Sequence, residues 1–197
     1  MSYALSVYLV PRQKLDRAFG KNDQALLQQV LDGVKDDLAA YDVQMEAPDL
    51  DTYDVDLSHA DALREIFAGR FTEYVNGSRY GWALECICRF LGTPLSNGGF
   101  SPCKIEWYEQ LDELLQQHDV PLKFRDLISQ LPIPIPRADD WPCIGHWGPT
   151  ALSAMEPLAR AMPIVDDDEA KESLETALGW LREAAKHPDT IIVGFHG

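Results

Sequence analysis

The stretch Ser2–Val10, SYALSVYLV, opens the chain with alternating Tyr, Leu and Val and stops at Pro11. Such residues at a period of two suit a half-buried strand, and proline cannot donate the next ladder hydrogen bond. The far end answers it: Thr190–Phe195, TIIVGF, is a second apolar run of strand length. Between the two ends the apolar period becomes helical. After Asn22 or Asp23, either of which can cap, ALLQQVLDGVKDDLAAY places Leu26, Leu27, Val30, Leu31, Val34 and Leu38 at helical spacing. Lys14–Phe19 reads as a helical turn, and Ser58 caps a helix that starts near Ala60 and ends around Gly69. Gly77–Gly92, GSRYGWALECICRFLG, is apolar nearly all round and is expected to be a buried core helix. Ile105–His118 and Ala170–Lys186 carry the same helical period, the latter with acids from Asp166 to Glu169 at its positive end and His187-Pro188 as its stop. A short helix is expected within Lys123–Leu131, and another over Thr150–Arg160 with a strained Pro157, while Thr93–Pro102 reads as a loop.

Strands at both ends with helices between them predict an α+β fold. The expected form is a mostly helical single domain over residues 1–197, with a small sheet made by the N- and C-terminal strands. The one candidate hinge is residues 131–137, where LPIPIP alternates proline with apolar residues and enforces an extended chain.

Charge narrows the function. The 197 residues hold 17 Lys+Arg against 32 Asp+Glu, a formal net charge of -15, with ordinary globular fractions of 46% hydrophobic and 25% charged residues. Such a surface repels phosphate, so neither nucleic acid nor an anionic membrane is an expected partner, whereas a basic protein is. Nine acids fall between Asp36 and Leu63 (Asp36, Asp37, Asp42, Glu46, Asp49, Asp51, Asp54, Asp56 and Asp61) with no Lys or Arg among them. The opening apolar run has no basic flank and is too short to span a bilayer, so the cytoplasm is the expected compartment, with four free thiols.

Chemistry-bearing patterns are few. Cys86 and Cys88 are two apart on a helix and point to different faces, and neither CxxC nor HExxH occurs, so no metal is expected. Asp49, Asp51, Asp54 and Asp56 loosely resemble a calcium loop but lack its glycine and closing glutamate, so they are read as a binding face for the basic partner. No glycine-rich phosphate loop is present, and no cofactor is expected.

Asp139–Gly148, DDWPCIGHWG, is the densest cluster of unusual residues. Its acids can close an Asx turn, Pro142 stiffens it, and Trp141, Ile144 and Trp147 anchor it, which describes a rigid Ω-like corner. Trp141 and Trp147 are the binding candidates, because an exposed Trp is a frequent hot spot. Cys143 and His146 are the only nucleophile–base candidates, although no signature of a cysteine hydrolase surrounds them. Glu85 and Arg89 are i, i+4 on the core helix and can bridge each other or serve a pocket.

Three regions together, MSYALSVYLV, YGWALECICRFLG, and DDWPCIGHW followed by WLREAA…IIVGFHG, resemble an uncharacterised bacterial family with a domain of unknown function, over nearly the whole chain. The two ends are also similar to the YfbM-like proteins. That resemblance implies an α+β fold and supplies no reaction, ligand or catalytic residue.

The expected function is therefore that of a protein-interaction module, an immunity- or antitoxin-like binder whose acidic face, Asp36–Asp61 and Asp166–Glu175, takes a basic partner. The alternative is a small-molecule binder or enzyme with a pocket at the Trp141–Trp147 loop.

Overall fold

The structure is a computed structural model and describes residues 3–44 and 56–197. It is α+β and mostly helical, with a small antiparallel sheet that the two terminal strands help to form. Among the described residues no helix is long and apolar enough to cross a membrane. The chain clusters into two compact units, one made of residues 1–10, 94–132 and 144–197, the other of residues 11–93 and 133–143. The chain passes between them at Val10–Pro11, Thr93–Pro94, Pro132–Ile133 and Cys143–Ile144, the third of these within 131–137.

The first unit holds the sheet. Its strands β1 (Leu5–Pro11), β2 (Thr93–Leu95), β3 (Cys143–Trp147) and β4 (Thr190–His196) take the order β2-β1-β4-β3. Ala4 and Gly197 exchange both backbone hydrogen bonds at 3.3 Å, the reciprocal pairing of an antiparallel ladder. The two terminal strands, β1 and β4, are neighbours at the centre of the order, and both are buried along most of their length.

Two strands depart from the sequence reading. Thr93–Leu95 was expected as loop but forms an edge strand, the place where a proline such as Pro94 is tolerated. The Ω-like corner is in part β3, an edge strand with Gly145 at its middle. A Cβ on Gly145 would lie 1.9 Å from the carbonyl oxygen of Asp126, so the strand needs glycine for the close approach of another backbone.

Over the sheet lie α6 (Ile105–Gln117), α7 (Asp126–Ser129), α8 (Met155–Ala161) and α9 (Asp168–Ala185). Asp167 caps α9, accepting from the backbone N–H groups of Glu169 and Ala170. Pro157 is unstrained: the helix starts at Met155, so the proline sits in the first turn, where backbone N–H groups have no helical partner. The core centres on Phe100, Tyr108, Phe124, Trp147 and Trp180. Indole N–H groups in this core are paired, Trp147 Nε1 with the Lys123 carbonyl at 2.7 Å and Trp180 Nε1 with that of Ser96. Pairing matters because a buried donor left without an acceptor costs about 1–3 kcal/mol.

The second unit is helical: α1 (Arg12–Ala18), α2 (Gln24–Gly33), α3 (Lys35–Gln44), α4 (His59–Ala68) and α5 (Ser78–Leu91). The single helix expected after Asp23 is two, broken at Gly33–Val34. The Phe90 ring occupies the place where a Gly33 side chain would go, with a distance of 2.3 Å to a built Cβ. Ser58 caps α4 through the Asp61 N–H, and Gly69 closes it at φ 64°, a left-handed conformation that suits glycine. The core helix α5 is buried along most of its length, including Cys86 and Cys88.

Candidate functional site

Helix α6 presents an apolar face, Tyr108, Leu111 and Leu115, to the core. Glu109 and Glu113, one turn apart, face outward, while Asp112 lies half-buried at the edge of the apolar face. After α6 the chain turns at Asp119, whose φ of 55° is one that Asp tolerates better than most residues. Asp112 then ties the returning loop down by accepting from the backbone N–H groups of Phe124 and Arg125. Burial pushes the Asp112 carboxyl up from its usual range, and those two hydrogen bonds pull it the other way. The loop runs into α7, which begins with Asp126 and rests against Gly145.

These pieces enclose a cleft of about 1430 Å3 in the first unit. Glu109, Asp112, Glu113, Asp119 and Asp126 line it, against the cations Lys123 and Arg125. Arg125 is already paired with Glu109 at 3.1 Å. The cleft is thus a concave, polar, net-negative surface, and its size exceeds the roughly 300–1,000 Å3 usual for a small-molecule site. His146 and Trp147 form part of its wall. His146 Nδ1 lies 2.7 Å from the Gln130 carbonyl oxygen. A carbonyl only accepts, so Nδ1 holds the proton and Nε2 of the neutral ring is an acceptor.

The described sequence candidates divide between the two units. Asp49, Asp51 and Asp54 fall outside the described residues. Asp56 belongs to the second unit, where its carboxylate takes Arg79 Nη2 at 3.1 Å. Trp147 is buried at 4% exposure and is a core residue as well as cleft wall; Trp141 is half-buried. Cys143 and His146 stand three residues apart on β3, an odd spacing that sends them to opposite faces of a strand. The Cys143 thiol lies against the Asp140 carbonyl, and burial, helped by the Asp140 charge, pushes it up from the ordinary thiol range. That environment disfavours the thiolate a nucleophile requires. Burial pushes the Cys86 thiol up to about 12.

The cleft carboxylates escaped the sequence reading. Their one local signal was the acidic outer face of α6, which looks like any solvated helix surface until Asp119, Asp126 and β3 are brought beside it. Among the described residues no group of three or more His, Cys, Asp or Glu could hold a metal ion.

No curated protein and no solved structure matches the chain. A family model, described as a domain of unknown function (DUF7691), matches residues 1–197, and the chain belongs to that family.

Proposed function

We propose that the chain is a protein-interaction module that binds a basic partner through the acidic cleft of its first unit, in the manner of an immunity protein or antitoxin that neutralises a cationic protein. The observation that carries this reading is the cleft itself, about 1430 Å3 with five carboxylates against two cations in its wall. A net charge of -15 adds a long-range field that draws a basic protein in and makes association fast and salt-sensitive. Trp147 and Asp112 hold the walls rigid through their backbone hydrogen bonds, so little ordering is left for the moment of binding.

The test compares two double charge reversals of equal net charge. Glu109→Lys/Glu113→Lys places them on the cleft wall, and Glu156→Lys/Glu175→Lys places them on α8 and α9, outside the residues that line it. A labelled oligo-arginine peptide is titrated against each. The cleft variant is expected to bind at least about tenfold more weakly than the control variant, a difference of about 1.4 kcal/mol. Equal weakening by both would mean that net charge alone holds the peptide and would remove the cleft from the account.

A further inference from the structure

Helix α3 is attached to its unit more by polar contacts than by apolar burial. Leu38 is its one buried side chain. Its polar anchors include Asp37 to Arg89 at 2.9 Å, Tyr41 to Glu85 at 3.1 Å, Arg89 Nη2 to the Tyr41 hydroxyl at 3.0 Å, and Asp42. One oxygen of Asp42 receives His59 Nδ1 at 2.6 Å, the His59 backbone N–H at 3.0 Å and Arg79 Nη1 at 3.2 Å. His59 is fully buried. Because Nδ1 points at a carboxylate it carries the proton, which leaves Nε2 a bare acceptor, buried and without a hydrogen-bond partner among the described residues. The Tyr41 ring packs 5.7 Å from the imidazole and 5.1 Å from the Trp82 ring. The charged groups that act on the imidazole are Asp42 from α3, Arg79 from α5 and Asp56, which precedes α4.

We propose that this network is an acid-sensitive latch, in which proton uptake by His59 releases α3 from α4 and α5. A proton on Nε2 would be a buried donor with no acceptor among the described residues, on a cation 3.3 Å from the Arg79 guanidinium. The Asp42 charge favours it, with a smaller pull from Asp56, and the Asp42 oxygen already serves three donors. Detaching α3 hydrates the imidazolium and costs the burial of Leu38, the packing of the Tyr41 ring on His59 and Trp82, and a few hydrogen bonds and ion pairs, less than unfolding the unit.

The direction follows from linkage. Burial foremost, and the Arg79 charge, hold His59 below the ordinary histidine value in the closed form, against the pull of Asp42. The released form takes its proton at about pH 6.5, so opening consumes a proton and is favoured as pH falls below that value. The opening constant rises by up to about tenfold per pH unit. Release uncovers Trp82 and the faces of α4 and α5 on which α3 packs.

Hydrogen exchange read by mass spectrometry on the full chain tests this between about pH 7.5 and about pH 5.5, with rates corrected for intrinsic exchange. Peptides from 35–44 are expected to lose protection on acidification while β4 and α9 keep theirs, and His59→Gln is expected to remove the pH dependence. Unchanged protection of 35–44, or the same pH dependence in the variant, would overturn the latch. If the variant fails to fold, nitrogen NMR of the wild-type imidazole decides. Nε2 should be unprotonated at neutral pH and gain its proton as α3 loses protection; a protonated His59 under a fully protected α3 overturns it.

Discussion

Gly145 and Gly194 lie on the neighbouring strands β3 and β4 and both receive the backbone of helix α7. A Cβ would come 1.9 Å from the Asp126 carbonyl oxygen at Gly145 and 2.8 Å from that of Leu127 at Gly194. The pair forms a side-chain-free seat that lets a four-residue helix rest directly on the sheet, carrying Asp126 into the cleft. Gly145→Ala has no flexible neighbour to push aside, since the nearest atoms are all backbone. The variant is expected to lose about 3 kcal/mol or more by urea denaturation, the upper part of the range for overpacked interiors, and to bind a basic peptide more weakly than its residual fold implies. A loss below about 1 kcal/mol would mean that α7 is not seated as described.

Stability in the first unit should depend on pH through His196. It is fully buried between the rings of Tyr3 and Tyr108, with Nε2 donating to the Cys103 carbonyl at 3.2 Å. Burial lowers its pKa, with the carbonyl contact opposing. A lowered histidine binds its proton more readily when unfolded, so its stabilisation is complete above about pH 6.5 and is lost as pH falls below it. Unfolding free energy is expected to fall by up to about 1.4 kcal/mol per pH unit for this proton, and His196→Gln should reduce the slope by about that amount. A slope identical in the two proteins would contradict the assignment.

Thiol reactivity separates the four cysteines. Cys86, Cys88 and Cys103 are buried and Cys143 is half-buried, all with pKa values pushed up by burial. Iodoacetamide followed by mass spectrometry at pH 7.5 should modify Cys143 first, and slowly, with the other three reacting only on unfolding. Cys143→Ala should leave peptide binding within about twofold of the wild type. Fast alkylation of Cys143 in the native protein would instead mark an activated thiol.

Much of the architecture is readable from short-range signals. Val7, Leu9, Ile191 and Val193 announce two buried strands, and Ser58, Gly69 and Asp167 mark helix ends that the structure places within a residue or two. What stayed hidden depends on groups distant in sequence. The Phe90 ring leaves room only for glycine at position 33, where the helix breaks, and β3 pairs with β4 around Gly145, which interrupts the alternation by which a strand is recognised. The cleft is hidden for the same reason: Glu113, Asp126 and His146 come from three elements and share no local pattern. Cys143 and His146 looked like partners because proximity in sequence is visible while the two-residue period of β3 was not.

The most direct test of the interaction reading is a tagged pull-down from the native host at low and at high salt, using the wild type, Glu109→Lys/Glu113→Lys and Glu156→Lys/Glu175→Lys. One basic protein is expected, captured at low salt by the wild type and the α8–α9 variant, and lost both at high salt and in the cleft variant. Capture of the same protein by the cleft variant, undiminished, would contradict it.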